Sequence, residues 1–203
     1  RAVILALGVK HRMLGLPGEE ELVGNGISFC AVCDGAFYTG QEVAMIGGGN
    51  SALQEALLLS EVCKKVTVVQ NLADFTGEKK LADLLLQKDN VTVHFSTVVA
   101  GYQSQDGELT GLQLRGENGE TCEIKVDGAF LAVGLEPRNG AFAHLAKTNA
   151  WGYFDSSEDC TTKTPGIFVA GDCRSKSIRQ VTTAAGDGAV AAMAACRYLD
   201  RLN

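Results

Sequence analysis

No apolar run in the 203 residues approaches the roughly 18 that a membrane-spanning helix needs, which argues against a membrane protein. No secretory signal opens the chain. No cluster of Lys or Arg offers a surface that could track phosphates. The 18 basic residues are interspersed among 24 acidic ones for a net charge of −6, so nucleic acid is not an expected partner. There is no even cysteine framework: of seven cysteines, five (Cys63, Cys122, Cys160, Cys173 and Cys196) stand singly. That excludes a disulfide-stapled secreted scaffold and favours a cytoplasmic protein with one close pair. The three histidines lie alone, at His11, His94 and His144, so no metal site is expected. Internal repeats, low-complexity tracts and charge runs are also missing.

What is present reads as an ordinary globular chain, 46% hydrophobic and 21% charged, long enough for one large domain or two modest ones. Arg1 to Gly8 reads as a buried strand and a turn glycine. A buried strand needs neighbours, so the sequence is expected to begin within a domain. Leu16 to Gly26, with its Pro, Gly and acids, reads as a linker. Strands are predicted at 42–47, 66–69 and 91–95, with helices at 50–62 and 79–87 between them. This β-α-β-α-β order implies parallel strands joined by crossovers. From Ser96 to Val126, turn signals at Gln105-Asp-Gly107 and Glu117-Asn-Gly119 predict a three-stranded antiparallel meander. A buried strand at 128–134, a second linker at 137–140, a strand at 167–170 and an Ala-rich helix over 181–199 complete the reading.

Cys30-Ala-Val-Cys33, followed by Asp34-Gly35, is the sharpest chemical feature. Two cysteines three apart can close a small disulfide ring that is easier to reduce than a relaxed structural bridge. An adjoining carboxyl can shuttle the proton that thiolate chemistry requires. Half of a zinc site and two core cysteines at chance spacing are the rival readings. Gly47-Gly-Gly49-Asn50-Ser51-Ala52 sits between a strand and a helix, where glycines permit close approach of a pyrophosphate to helix N–H donors. A plain glycine turn is the alternative there. Gly171-Asp172 ends another strand; its carboxylate suits a sugar hydroxyl, or is a turn aspartate satisfied locally.

Together these segments resemble the low-molecular-weight, bacterial-type thioredoxin reductases, FAD-dependent pyridine nucleotide-disulfide oxidoreductases, from Ala2 to the C-terminus. Cys-Ala-Val-Cys-Asp-Gly is similar to their active site, and Ile46 to Ala56 to their pyridine-nucleotide fingerprint. Gly171-Asp-Cys, with Arg179 to Gly188 and the Ala-rich helix, is similar to their flavin-binding segment. The resemblance implies an α/β fold of two dinucleotide-binding domains, Rossmann-like βαβ with an antiparallel meander, the nucleotide domain inserted into a partial FAD domain. Its parts would be 1–16 and 139–203 in the FAD domain and 23–135 in the nucleotide domain, with the N-terminal FAD fingerprint lacking. It further implies that Cys33 lies nearer the flavin and that Cys30 attacks the disulfide of a thioredoxin-like partner. Asp34 would be the acid–base group. Gly171 and Asp172 would hold the FAD sugar, with Arg179, Gln180 and Val181 lining its ring. Gly47, Gly49, Asn50, Ser51 and Ala52 would cradle the pyridine nucleotide. Such enzymes are usually homodimers.

The donor segment departs from the family pattern. Members that use NADPH carry His-Arg-Arg and a further Arg after the second strand, whereas this stretch reads Gln70-Asn-Leu-Ala-Asp-Phe-Thr76. Without a guanidinium the 2′-phosphate loses its charge-assisted bonds. The expectation is NADH, with Gln70 at the ribose, rather than NADPH, if a pyridine nucleotide is used at all. Alternatives are the reductase of a peroxiredoxin system, a ferredoxin-dependent relative, and a non-catalytic binding module on the same fold.

Overall fold

In the computed structural model, which describes residues 1–202, the chain divides into two compact units. One comprises Arg1–His11 with Leu135–Asn203, and the other Arg12–Gly134. The first unit opens with β1 (Val3–Leu5) and β2 (Val9–His11). Only Leu5 of β1 is buried; Val3 and Ile4 are 46% and 41% exposed, so the strand is not the buried one that its composition predicts.

The second unit begins with a helical turn, α1 (Glu19–Leu22), in the stretch that reads as a linker. Leu22 is buried in a core and Leu14 and Leu16 pack against that core, which is why the segment is structured despite its Pro and Gly. Next come β3 (Ile27–Ser28), α2 (Ala31–Asp34), a 3-10 turn at Gly35–Tyr38, β4 (Glu42–Ile46), α3 (Asn50–Val62), β5 (Lys65–Val69), α4 (Lys79–Leu86) and β6 (Val91–His94). After these lie β7 (Thr97–Gln105), β8 (Glu108–Gly116), β9 (Thr121–Lys125) and β10 (Gly128–Leu131).

β3, β10, β4, β5 and β6 form a parallel sheet in that order. Past their first residues, Glu42 and Lys65, the central strands β4 and β5 are buried and mostly apolar because both faces are covered. On one face, Ala52, Leu53, Ala56 and Leu59 of α3 and Leu85 of α4 meet Val43, Met45, Val66, Val68 and Phe130. Their helical spacing turns one stripe of α3 to the sheet. On the other face, Val99, Leu109, Leu112 and Leu114 of the β7-β8-β9 meander meet Ala44, Ile46, Val69, Ala129 and Leu131. The β7–β8 connection places both Asp106 (φ 54°) and Gly107 (φ 88°) in the left-handed region, the requirement of a two-residue type I′ hairpin.

The chain then re-enters the first unit through β11 (Leu135–Pro137), antiparallel to β2. Asn139, within the second predicted linker, is instead buried, its Nδ2 donating to Gly152 O and Cys173 O at 2.8 Å each. β12 (Ile167–Val169) pairs in parallel with β1 and leads into a 3-10 turn at Gly171–Cys173. α5 (Val181–Asp200) lays Ala191 and Ala195 against Phe168, Ala170 and Cys160.

Candidate active site

In the second unit, β3 delivers the chain to a turn that brings Cys30 and Cys33 together. The two are disulfide-bonded, with Cα atoms 5.3 Å apart. Cys30 is extended and stands at the N-cap of α2, where its sulfur accepts the Cys33 N–H at 3.2 Å. Ser28, buried on β3, links this turn to the acid: its hydroxyl accepts the Cys30 N–H at 3.2 Å and donates to Asp34 Oδ2 at 2.6 Å. Glu55 reaches across from α3 and accepts the Ala31 N–H at 3.0 Å. Burial pushes its carboxyl above the ordinary value, and the Ala31 N–H opposes that rise. The structure thus joins Cys30, Cys33 and Asp34, and adds Ser28 and Glu55, which the motif did not disclose. Ser28 lies just upstream of the first Cys and could have been flagged; Glu55 is 24 residues from its partner and reads locally as a helix-surface acid.

The glycine turn after β4 is built for close approach. At Gly47, φ is 130° and a Cβ would lie 2.6 Å from the Ala132 carbonyl oxygen. Ala52 is fully buried. Gly49 caps α3, and a Cβ there would meet only Thr76 Oγ1, at 3.8 Å. Asn50 and Ser51 are exposed at the start of the helix. The segment after β5 folds down onto this turn: the Thr76 and Gly77 N–H groups both donate to Gly48 O, at 2.9 and 3.0 Å. Asn50 Oδ1 accepts the Glu78 N–H at 2.6 Å. Gln70 is buried, its Nε2 donating to Asp74 O at 3.0 Å, so one of its two amide N–H groups is committed within the protein. Beside it, Asn71 and Leu72 line a cleft of about 420 Å³ with Ser96 and Arg115.

The third predicted segment lies in the first unit. Gly171 takes φ 75° and donates its N–H to Asp187 Oδ2 at 3.0 Å. Asp172 Oδ1 is buried without a hydrogen-bond partner among the described residues; Lys176 Nζ stands 4.0 Å away. A buried acceptor of this kind calls for a donor, and a hydroxyl of a flavin's sugar chain fits it. Arg179 donates from Nε to Asp172 O at 3.3 Å and stacks its guanidinium 4.1 Å over the Tyr153 ring. Gln180 caps α5 in a reciprocal box with Thr183, and Val181 is 85% exposed. Behind the segment, Asp187 takes Arg174 Nη1 at 3.4 Å and Lys176 Nζ at 3.0 Å. Sequence reasoning missed this pairing, although Asp187 sits within the Arg179 to Gly188 stretch. Among the described residues no cluster of His, Cys, Asp or Glu could hold a metal ion, and no helix is long and apolar enough to cross a membrane.

Comparison with known proteins gives a consistent picture. The sequence profile described as pyridine nucleotide-disulphide oxidoreductase matches residues 1–188. Thioredoxin reductase of Bacillus subtilis is 38% identical over 203 residues, which is 100% of this chain and 64% of that protein. The Listeria monocytogenes thioredoxin reductase is 40% identical over the same 203 residues, again 64% of its length. The chain therefore spans just under two thirds of the curated relatives it matches. Among solved structures, thioredoxin reductase of Streptococcus pyogenes superposes with a TM-score of 0.88 at 38% identity, covering 98% of this chain and 66% of that one.

Proposed function

The chain belongs to the pyridine nucleotide-disulphide oxidoreductase family, and from that premise we propose that it acts in a thioredoxin-disulfide reductase. The observation that carries this reading is the Cys30–Cys33 disulfide held beside Asp34 through Ser28. The fold is the α/β fold of two dinucleotide-binding domains seen in thioredoxin reductases.

Asp172 and Gly171, with Arg179, Gln180 and Val181, would hold FAD; Gly47, Gly49, Asn50, Ser51 and Ala52 would hold a pyridine nucleotide. Bound FAD would supply two electrons from the donor. With two protons, these convert the Cys30–Cys33 bond to two thiols, Cys33 being the sulfur that receives them. Cys30 then passes its proton to Asp34 and, as thiolate, attacks one sulfur of a thioredoxin-like disulfide, and the partner's other sulfur leaves and takes that proton from Asp34. Cys33 next loses its proton and attacks Cys30 Sγ as thiolate, re-forming the internal disulfide, and the partner's second sulfur leaves as a thiolate that takes up the proton. The Cys33 N–H on Cys30 Sγ and the Ser28 bridge hold these groups in register.

NADH is the proposed donor rather than NADPH, because no Arg stands between Gln70 and Glu78. A protein donor is the second reading, favoured by the commitment of the Gln70 amide to Asp74. The working form is proposed to be a cytoplasmic homodimer. The test is flavin reduction in the intact protein by stopped flow, comparing NADH, NADPH and reduced ferredoxin, followed by thioredoxin reduction. Oxidation of the reduced enzyme by thioredoxin supports the reading; a reduced enzyme inert to thioredoxin disulfides rejects it.

A further inference from the structure

The donors of the Cys30 turn are shared out in a way that bears on how reducing the pair is. The Cys30 N–H goes to Ser28 and the Cys33 N–H to Cys30 Sγ. The Ala31 N–H, one residue beyond Cys30, goes to Glu55 Oε2 at 3.0 Å. Glu55 is not a wandering surface side chain: it is half-buried, and α3 is pinned by Ala52, Ala56 and Leu59, none of them exposed. Burial is the main influence on its carboxyl, with no cation contributing. The other titratable groups around the turn are Asp34 on α2 and Tyr38 on the following turn, whose phenol is pushed up by burial and by Asp34.

We propose that Glu55 is a positioning residue of the dithiol, an anion seated on the N–H next to Cys30 that disfavours a Cys30 thiolate and keeps the pair strongly reducing. A dithiol becomes oxidising when its thiolate is stabilised, as donors and positive charge near the first cysteine do. Here one of those donors is occupied by a carboxylate, and its charge adds repulsion. The consequence for turnover rests on the disulfide-reductase reading, but the effect on the thiol does not.

The test uses the reduced chain carrying Glu55→Gln or Glu55→Ala. Alkylation of Cys30 by iodoacetamide is followed against pH and resolved from Cys33 by tandem mass spectrometry of the shared peptide. Glutamine keeps an oxygen for the Ala31 N–H and removes only the charge. The expected result is a midpoint lowered by about one pH unit in both variants, roughly tenfold more thiolate at neutral pH. An E55Q midpoint within about 0.2 unit of wild type, with an unchanged circular dichroism spectrum, would leave Glu55 a scaffold residue and overturn the proposal. Loss of the fold in both variants would overturn it equally. Neither thioredoxin nor a nucleotide enters the measurement, so a failed reductase assay leaves this result standing, and the reverse.

Discussion

The phenol of Tyr102 donates to Oε1 of Glu19 at 2.6 Å, across a sequence separation of 83 residues. The same carboxylate takes the backbone N–H groups of Leu14, Gly15 and Leu16 at 2.9, 2.7 and 3.3 Å. Glu19 is buried, so these four donors are what make its charge tolerable there. Tyr102→Phe is expected to cost about 1.5–3 kcal/mol, the range for a hydrogen bond to a charged group. Glu19→Ala should cost more, since it strips three N–H groups at once. Urea unfolding of both variants checks this, and a Tyr102→Phe cost near zero would show the bond to be incidental.

The glycine turn separates folding from binding. Gly47→Ala meets the Ala132 carbonyl at 2.6 Å and an unsuitable φ, so it is expected to destabilise by about 2 kcal/mol or more. Gly49 has φ −84° and nothing closer than 3.8 Å, so Gly49→Ala should cost under about 1 kcal/mol. If the turn holds a nucleotide as proposed, it should nevertheless weaken that binding, because the added methyl would stand where the pyrophosphate is proposed to approach. Thermal melts and nucleotide titration on the same two variants distinguish the effects.

The arginine-free loop carries an expected donor preference. NADH is expected to match or exceed NADPH in kcat/KM. Placing Arg at Asn71 and Leu72 together should raise the NADPH value by roughly 10–150-fold, the worth of a charge-assisted contact of about 1.5–3 kcal/mol. A wild-type preference for NADPH would mean that another cation meets the 2′-phosphate, and Arg115 in the neighbouring cleft would be the first to replace.

For the dithiol, Cys33→Ser and Cys30→Ser in the intact protein are each expected to abolish thioredoxin reduction while leaving FAD bound. Cys30→Ser should keep Cys33 able to give a long-wavelength charge-transfer band with the flavin. Near-wild-type turnover in either variant would refute the dithiol mechanism.

Acid sensitivity has a specific contributor in His11. Although the residue is exposed overall, partial burial of its imidazole lowers it from the ordinary value of 6.5, so the fold modestly favours the neutral ring. The stability this group provides is complete above the unfolded value and is lost as pH falls through the lower folded one. His11→Gln should therefore flatten the stability profile below about pH 6.5, as read from denaturant midpoints across pH.

The parallel strands and the meander were legible because their signals are local. Val43 to Ile46 is a continuous apolar run, Val66 to Val69 is broken only by Thr67, and Asp106-Gly107 can form the tight turn alone. The dithiol was legible for the same reason, its two sulfurs lying on one short turn. What escaped was set by distant partners. α1 hides in a Pro- and Gly-punctuated stretch because the burial of Glu19 depends on Tyr102, 83 residues away, as well as on the N–H groups of Leu14, Gly15 and Leu16. Asn139 reads as linker but is fixed by Gly152 and Cys173.

The two N–H groups that converge on Gly48 O have a practical consequence for engineering. They lock the spacing between the end of β5 and residue 77, since a loop one residue longer or shorter would withdraw Thr76 or Gly77 from that acceptor. Transplanting a donor loop from a relative will therefore succeed only when its length is kept. Exchanging side chains at 71 and 72 leaves the backbone bonds untouched, so the proposed donor site could be altered there without rebuilding the scaffold.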